Sequence, residues 1–313
     1  MTHTCEGGHR IQANGLTFHV VNQRSGPAIL LVHGWPDSSH IWRYQIPVLV
    51  EAGFRVIAPD LRGFGESDRP EVVEAYAMPM LLSDLKGILA TLGIERVRLV
   101  GHDWGAAIAW QFATYFPTQV EQLVALAVGH PSAAGSEGLT QWEKHWYFLW
   151  FLFPGVAETV LPRNNWAVFR ELLQGQGEVE HYIETLARPG ALAASLNLYR
   201  ANIHPMTVGA SAPPTAPLSG CPTMGIWGSE DFAMPERQME LSGNYVLGPW
   251  HYERLQGVGH WLPDAAPDRV NALLLDFLTP SQGRASGDEK KPSARGSTTV
   301  FPTRKDDGPI DRA

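Results

Sequence analysis

A short apolar run, Val97-Arg98-Leu99-Val100, passes directly through Gly101-His102-Asp103-Trp104-Gly105-Ala106 into a helical pattern that continues to Tyr115. No other stretch restricts the fold as strongly. A strand can turn into a helix over so few residues only where the two backbones nearly touch, and small residues on both sides of Asp103 supply that clearance. The run lacks the apolar–polar alternation of a half-exposed strand, so both of its faces are expected to be covered, as in a parallel sheet.

The same alternation of element types recurs along the chain. Ala28–Val32, Phe54–Ala58, Leu123–Val128 and Met224–Trp227 are further short apolar runs, separated by helical patterns near Trp42–Ala52, Pro79–Leu92, Ala106–Tyr115 and Asp268–Leu278. Strands alternating with helices predict an α/β fold, a mostly parallel central sheet with helices on both faces. Leu16–Val21 is expected to add an antiparallel edge. Residues 131–215 interrupt the rhythm: they hold no clean strand, are dense in aromatics between Trp142 and Phe169, and end in the turn-rich linker Ala210–Pro217. They predict a helical lid inserted between two parts of the core, residues 1–130 and 216–280. In residues 281–313, seven Lys/Arg and five Asp/Glu accompany only Val300, Phe301 and Ile310 as large apolar residues. Such a segment buries too little surface to offset its ordering entropy and is expected to be a disordered tail.

Charge and cysteine content narrow the function classes. A net charge of −8 argues against a general partner of nucleic acid or of anionic membranes. Cys5 and Cys221 are too few for a disulfide framework and have no metal-ligand spacing. The histidines give no zinc template. Gly63-Phe64-Gly65 lacks the third glycine of a dinucleotide fingerprint and opens no helix, so neither a metal nor another cofactor is expected. The first residues carry no secretory pattern, and the most apolar stretch, Trp146–Phe153, falls far short of the roughly 20 residues that cross a bilayer. A cytoplasmic enzyme acting on a small molecule is the expectation.

Gly101–Ala106 has the form small-x-nucleophile-x-small, the strand–turn–helix elbow that exposes a nucleophile in a strained turn, with Asp103 in the nucleophile position. An acid and a histidine follow in the order this elbow requires. Asp231 lies in Gly228-Ser229-Glu230-Asp231 at a strand end, with Glu230 as its competitor, and His260 lies in Gly257-Val258-Gly259-His260-Trp261. Upstream, His33-Gly34-Trp35-Pro36 ends the first core strand, where the Trp35 amide could pair with that of Trp104 as an oxyanion hole. His33 and His102 are read as structural, their rings bonding nearby loops.

From about residue 10 to 280 the chain resembles α/β-hydrolases of the epoxide hydrolase and haloalkane dehalogenase branch. The likeness rests on four motifs in order and spacing: His33–Pro36, Asp60-Leu61-Arg62-Gly63-Phe64-Gly65-Glu66-Ser67, Gly101–Ala106 and Gly259-His260-Trp261. An Asp nucleophile suits attack on a saturated carbon, because the resulting alkyl ester can be opened by activated water. The resemblance therefore implies Asp103 as nucleophile, His260 as general base and Asp231 as the group that orients it.

The leaving group separates the two activities of the branch. An alkoxide needs a proton, whereas a halide leaves without one. Epoxide hydrolases supply the proton from two lid tyrosines, and similar stretches here carry Tyr147 (before Pro154-Gly155-Val156-Ala157-Glu158) and Tyr199 (in Leu196–Asn202), with Tyr182 as substitute. Trp35 stands where haloalkane dehalogenases usually place Asn or Glu. His145-Trp146 resembles a pair in fluoroacetate dehalogenases, but the helix after Asp103 lacks their arginines. The resemblance thus implies conversion of an apolar organic epoxide and water to a vicinal diol, with haloalkane dehalogenation as the alternative. Trp35, Trp104, Trp146, Trp150 and Phe151 are the expected substrate-binding residues, the last three divided between lid core and pocket wall.

Overall fold

The structure is a computed structural model that describes residues 8–134, 144–204 and 220–279. Its strands are β1 (Gly8–Ala13), β2 (Leu16–Gln23), β3 (Ala28–Val32), β4 (Arg55–Pro59), β5 (Val97–His102), β6 (Val120–Leu126), β7 (Thr223–Gly228) and β8 (Trp250–Leu255). They form one sheet in the order β1-β2-β4-β3-β5-β6-β7-β8. β1 and β2 form a hairpin whose second strand runs antiparallel to β4, and every other pairing is parallel. The run at Leu16 is therefore the second strand from the edge. The edge itself is β1, whose only buried residues are Ile11 and Ala13, too few to give an apolar pattern.

β3, β5 and β6 are buried at every residue except Ala28, Arg98, Glu121 and Gln122, as strands covered on both faces require. Helices α1 (Gln45–Glu51), α2 (Met78–Thr91) and α3 (Trp104–Tyr115) follow β3, β4 and β5 on the chain. α3 begins one residue after Asp103, which adopts φ 55° and ψ −123°. A non-glycine residue there costs about 1–3 kcal/mol, so the surroundings must hold it. The Asp103 N–H donates to the Leu126 carbonyl at 3.2 Å, and the Ala106 and Ala107 N–H groups donate to the Asp103 carbonyl. The flanking glycines make the turn fit: a Cβ on Gly101 would lie 2.3 Å from the Gly105 carbonyl oxygen, and one on Gly105 would lie 2.0 Å from that of Val32.

Between β6 and β7 the described residues form α4 (Phe148–Leu152), α5 (Val156–Val160), α6 (Arg163–Leu172), α7 (Val179–Leu186) and α8 (Ala191–Asn202). The flanking residues 135–143 and 205–219, with the expected linker, and the expected tail at 281–313 lie outside the described residues. After β8 come α10 (Leu262–Ala265) and α11 (Pro267–Leu278), and α9 (Glu236–Leu241) precedes β8. Among the described residues no helix is long and apolar enough to cross a membrane.

Candidate active site

Asp103, Asp231 and His260 come from the ends of β5, β7 and β8, which neighbour one another along the sheet except for β6 between the first two. Parallel strands deliver all three side chains to the same C-terminal edge. His260 Nδ1 bonds Asp231 Oδ2 at 2.8 Å, and its Nε2 lies 3.3 Å from Asp103 Oδ2. Asp231 is held in turn: its Oδ1 accepts the N–H groups of Ala233 and Met234, each at 2.8 Å. Glu230, the competing acid, is exposed.

The other oxygen of Asp103 has different partners. Its Oδ1 accepts the Trp35 N–H at 2.8 Å, and the Trp104 amide also hydrogen-bonds the carboxylate. The Trp104 amide is among the unpaired donors at the start of α3, where the helix dipole favours negative charge. Trp35 is anchored by its indole N–H, which donates to Ser195 Oγ at 3.2 Å, and the Trp35-Pro36 bond is cis.

Tyr147 and Tyr199 line one small cavity with Trp35, Asp103 and His260, walled also by Leu172, Leu173, Phe232, Ala233 and Trp261. The cavity measures about 20 Å³. A wider cavity of about 520 Å³ adjoins it and shares the wall residues Tyr147, Leu172 and Phe232. Trp146 and Trp150 line that outer cavity. Phe151 lines neither: it is fully buried, packed 4.9 Å from Trp35 and 5.0 Å from Tyr199. Trp104 is half-buried and also lines neither, its ring edge-on to Tyr199 at 5.2 Å. Tyr182 lies elsewhere, against Trp261 and near Asp37. His145 is buried and stacked on Phe148 at 4.5 Å.

The sequence profile of the alpha/beta hydrolase fold family matches residues 27–267. The chain is 33% identical over 281 residues to the AB hydrolase superfamily protein YfhM of Bacillus subtilis, covering 86% of this chain and 96% of that protein. It is 31% identical over 316 residues to epoxide hydrolase A of Mycobacterium tuberculosis, covering 86% and 96%. Among solved structures, an epoxide hydrolase of Bacillus megaterium superposes with a TM-score of 0.77 at 29% identity, covering 86% of this chain and 99% of that one. The chain belongs to the epoxide hydrolase branch of the α/β-hydrolase fold family.

Within this epoxide hydrolase fold the electrostatics of the site follow from burial and pairing. Burial alone would raise the Asp103 carboxyl, but the hydrogen bond and charge of His260, with the Trp104 amide, hold it below the usual carboxylate range. Burial would lower His260, yet Asp231 and Asp103 together raise it to about 10. Both tyrosine hydroxyls are pushed well above their ordinary value, first by burial and then by neighbouring charges that include Asp103. His102 is lowered to about 4, mainly by burial, and as a neutral ring its Nε2 bonds the His260 carbonyl at 2.9 Å. His33 bonds the Gly34 carbonyl and accepts the Leu61 N–H, each at 2.9 Å. Leu172, Leu173, Phe232 and Ala233 had no signal in the sequence, since they belong to no motif and reach the cavity only through the packing of α6 and the loop after β7.

Proposed function

We propose that the protein hydrolyses an apolar organic epoxide to a vicinal diol through an alkyl ester on Asp103. The observation that carries this reading is that Tyr147 and Tyr199 line the same buried cavity as Asp103. A carboxylate facing two phenols is matched to a substrate whose leaving group is a basic oxygen still attached to the attacked molecule.

Asp103 Oδ2, the oxygen that faces His260, attacks a ring carbon while Tyr147 or Tyr199 donates a proton to the opening oxygen. Their raised affinity for protons keeps both phenols neutral and ready to donate. Esterification removes the charge on Asp103, one of the two anions that hold the proton on His260. The imidazole then gives that proton up, returning it to the tyrosinate, and becomes the base that the second step needs. His260 deprotonates a water, which adds to Cγ of Asp103. The Trp35 and Trp104 N–H groups stabilise the negative charge on Oδ1. Collapse breaks the Cγ–Oδ2 bond, and the diol leaves with a proton from His260. Asp231 keeps the imidazole in one tautomer throughout.

The helices α4 to α8 act in this reading as a lid, since they supply Tyr147, Leu172 and Tyr199 to the cavity over the sheet edge. The apolar walls suit an apolar epoxide, and the substrates needed are that epoxide and water alone.

Epibromohydrin, with an epoxide and a C–Br bond in one small molecule, tests the reading. Purified protein should give bromopropanediol without early bromide release, and Asp103→Ala should give none. Bromide with glycidol would overturn it in favour of haloalkane dehalogenation, with the tyrosines as packing residues.

A further inference from the structure

Gln176 sits in the loop between α6 and α7, where Gln174, Gly175 and Gly177 all take positive φ. This tight, left-handed path drives its side chain down to the sheet edge. There Gln176 Oε1 accepts the backbone N–H of His260 at 2.8 Å, and its Nε2 donates to the Glu230 carbonyl at 3.4 Å. One amide therefore spans the two loops that carry His260 and Asp231. It also supplies a partner the His260 N–H would otherwise lack, since α10 begins two residues later.

The opposite side of His260 is held by His102, whose ring bonds the His260 carbonyl. The His260 backbone is thus gripped from the elbow below and from the inserted helices above. The approach on the upper side is close: a Cβ on Gly259 would lie 2.1 Å from Gln176 Oε1 and 2.5 Å from its Cδ. Gly259 does not adopt a positive φ, so the absence of a side chain there serves the space that the Gln176 amide occupies.

We infer that Gln176 is a positioning residue for His260, acting on the hydrolysis of the alkyl-enzyme and not on its formation. The inference rests on the reading of Asp103 and His260 given above. Formation of the ester needs the Asp103 carboxylate and the tyrosines, none of which Gln176 touches. Opening the ester needs His260 aligned with a water and with Asp231, and both loops that fix this alignment meet on the Gln176 amide. A misplacement of about 1 Å in such a base can cost 10²-fold in rate.

The test uses the full chain with a styrene oxide pulse, quenched at intervals and read by intact mass for the adduct on Asp103. Gln176→Met keeps the volume and removes both hydrogen bonds. Gly259→Ala displaces the amide from the other side and leaves residue 176 unchanged. In both variants the adduct should form at a rate within about twofold of wild type and decay at least about 10-fold more slowly. In the steady state kcat and KM should then fall together, with kcat/KM preserved. Formation and decay slowed alike, or neither changed, would overturn the role of Gln176 while leaving the reading of the site intact. Wild-type protein that forms diol from epoxide without an adduct on Asp103, or forms no diol, would overturn both.

Discussion

Each oxygen of the Asp103 carboxylate has a different partner, a division that suits the two successive uses proposed for it. Oδ1 accepts the backbone amide of Trp35, whereas Oδ2 faces an imidazole whose charge depends on Asp103 itself. The residue type at 103 was legible because glycines must flank it. The burial of Asp37 was not, since an acid after Trp35-Pro36 looks like any loop carboxylate. Its Oδ1 accepts the Ser38 N–H at 2.8 Å, and its side chain is buried beside the Tyr182 hydroxyl. Burial, followed by the charge of Asp264, pushes Asp37 up to about 8. An acid whose folded value is raised binds more protons folded than unfolded. Stability is therefore lost as pH rises from the unfolded value near 4 towards 8. Asp37→Asn should remove this loss. The Tm of the variant minus that of wild type, followed by circular dichroism, should be more positive at pH 8 than at pH 5 by about 2 °C or more. A difference independent of pH would count against a buried, protonated Asp37.

At the scale of elements, the elbow between β5 and α3 is the least tolerant part of the fold. Gly105→Ala would set a methyl against the backbone of β3, where nothing flexible can give way. The expected loss is about 3 kcal/mol or more, read as a lower urea midpoint, or as failure to fold. Gly220→Ala is the matched control, because a Cβ there meets nothing within 4 Å, and it should change stability by less than about 0.5 kcal/mol. The inserted helices are anchored differently. Arg200, one residue after Tyr199, pairs with Glu158 at 2.8 Å and donates to the Phe151 carbonyl at 2.9 Å. This ties α8 to α4 and α5 and fixes the helix that carries Tyr199. Helical character was legible in this region, but short helices broken at Gly155 and Gly190, both with positive φ, leave no long period to read. The hairpin strand β1 was illegible for a related reason, since an edge strand with one covered face needs few apolar residues.

For the molecule as a whole, the decisive feature is a wide outer cavity adjoining the small inner one at Asp103 across the shared wall of Tyr147, Leu172 and Phe232. Leu172 borders both and offers only an apolar side chain, which fits it to set width and not to take part in the chemistry. Leu172→Ala should raise kcat/KM for a bulky aryl epoxide relative to a small alkyl epoxide by about three- to 10-fold. Equal changes for the two substrates would mean that the constriction does not select.

The strand–helix alternation from β3 to β7 and the chain positions of Asp103, Asp231 and His260 were already determined by the sequence. Uninterrupted apolar runs demand two covered faces, and a turn between glycines admits one nucleophile position. Tyr147 and Tyr199 were legible through resemblance alone, because an aromatic in an aromatic run carries no local sign of where its hydroxyl points. The tertiary structure decided which acid faces His260, which aromatics wall the cavity and which stand behind it, and that Gln176 reaches the His260 backbone. Those outcomes depend on side chains brought together from residues far apart in the chain, and no local pattern records the distance between them.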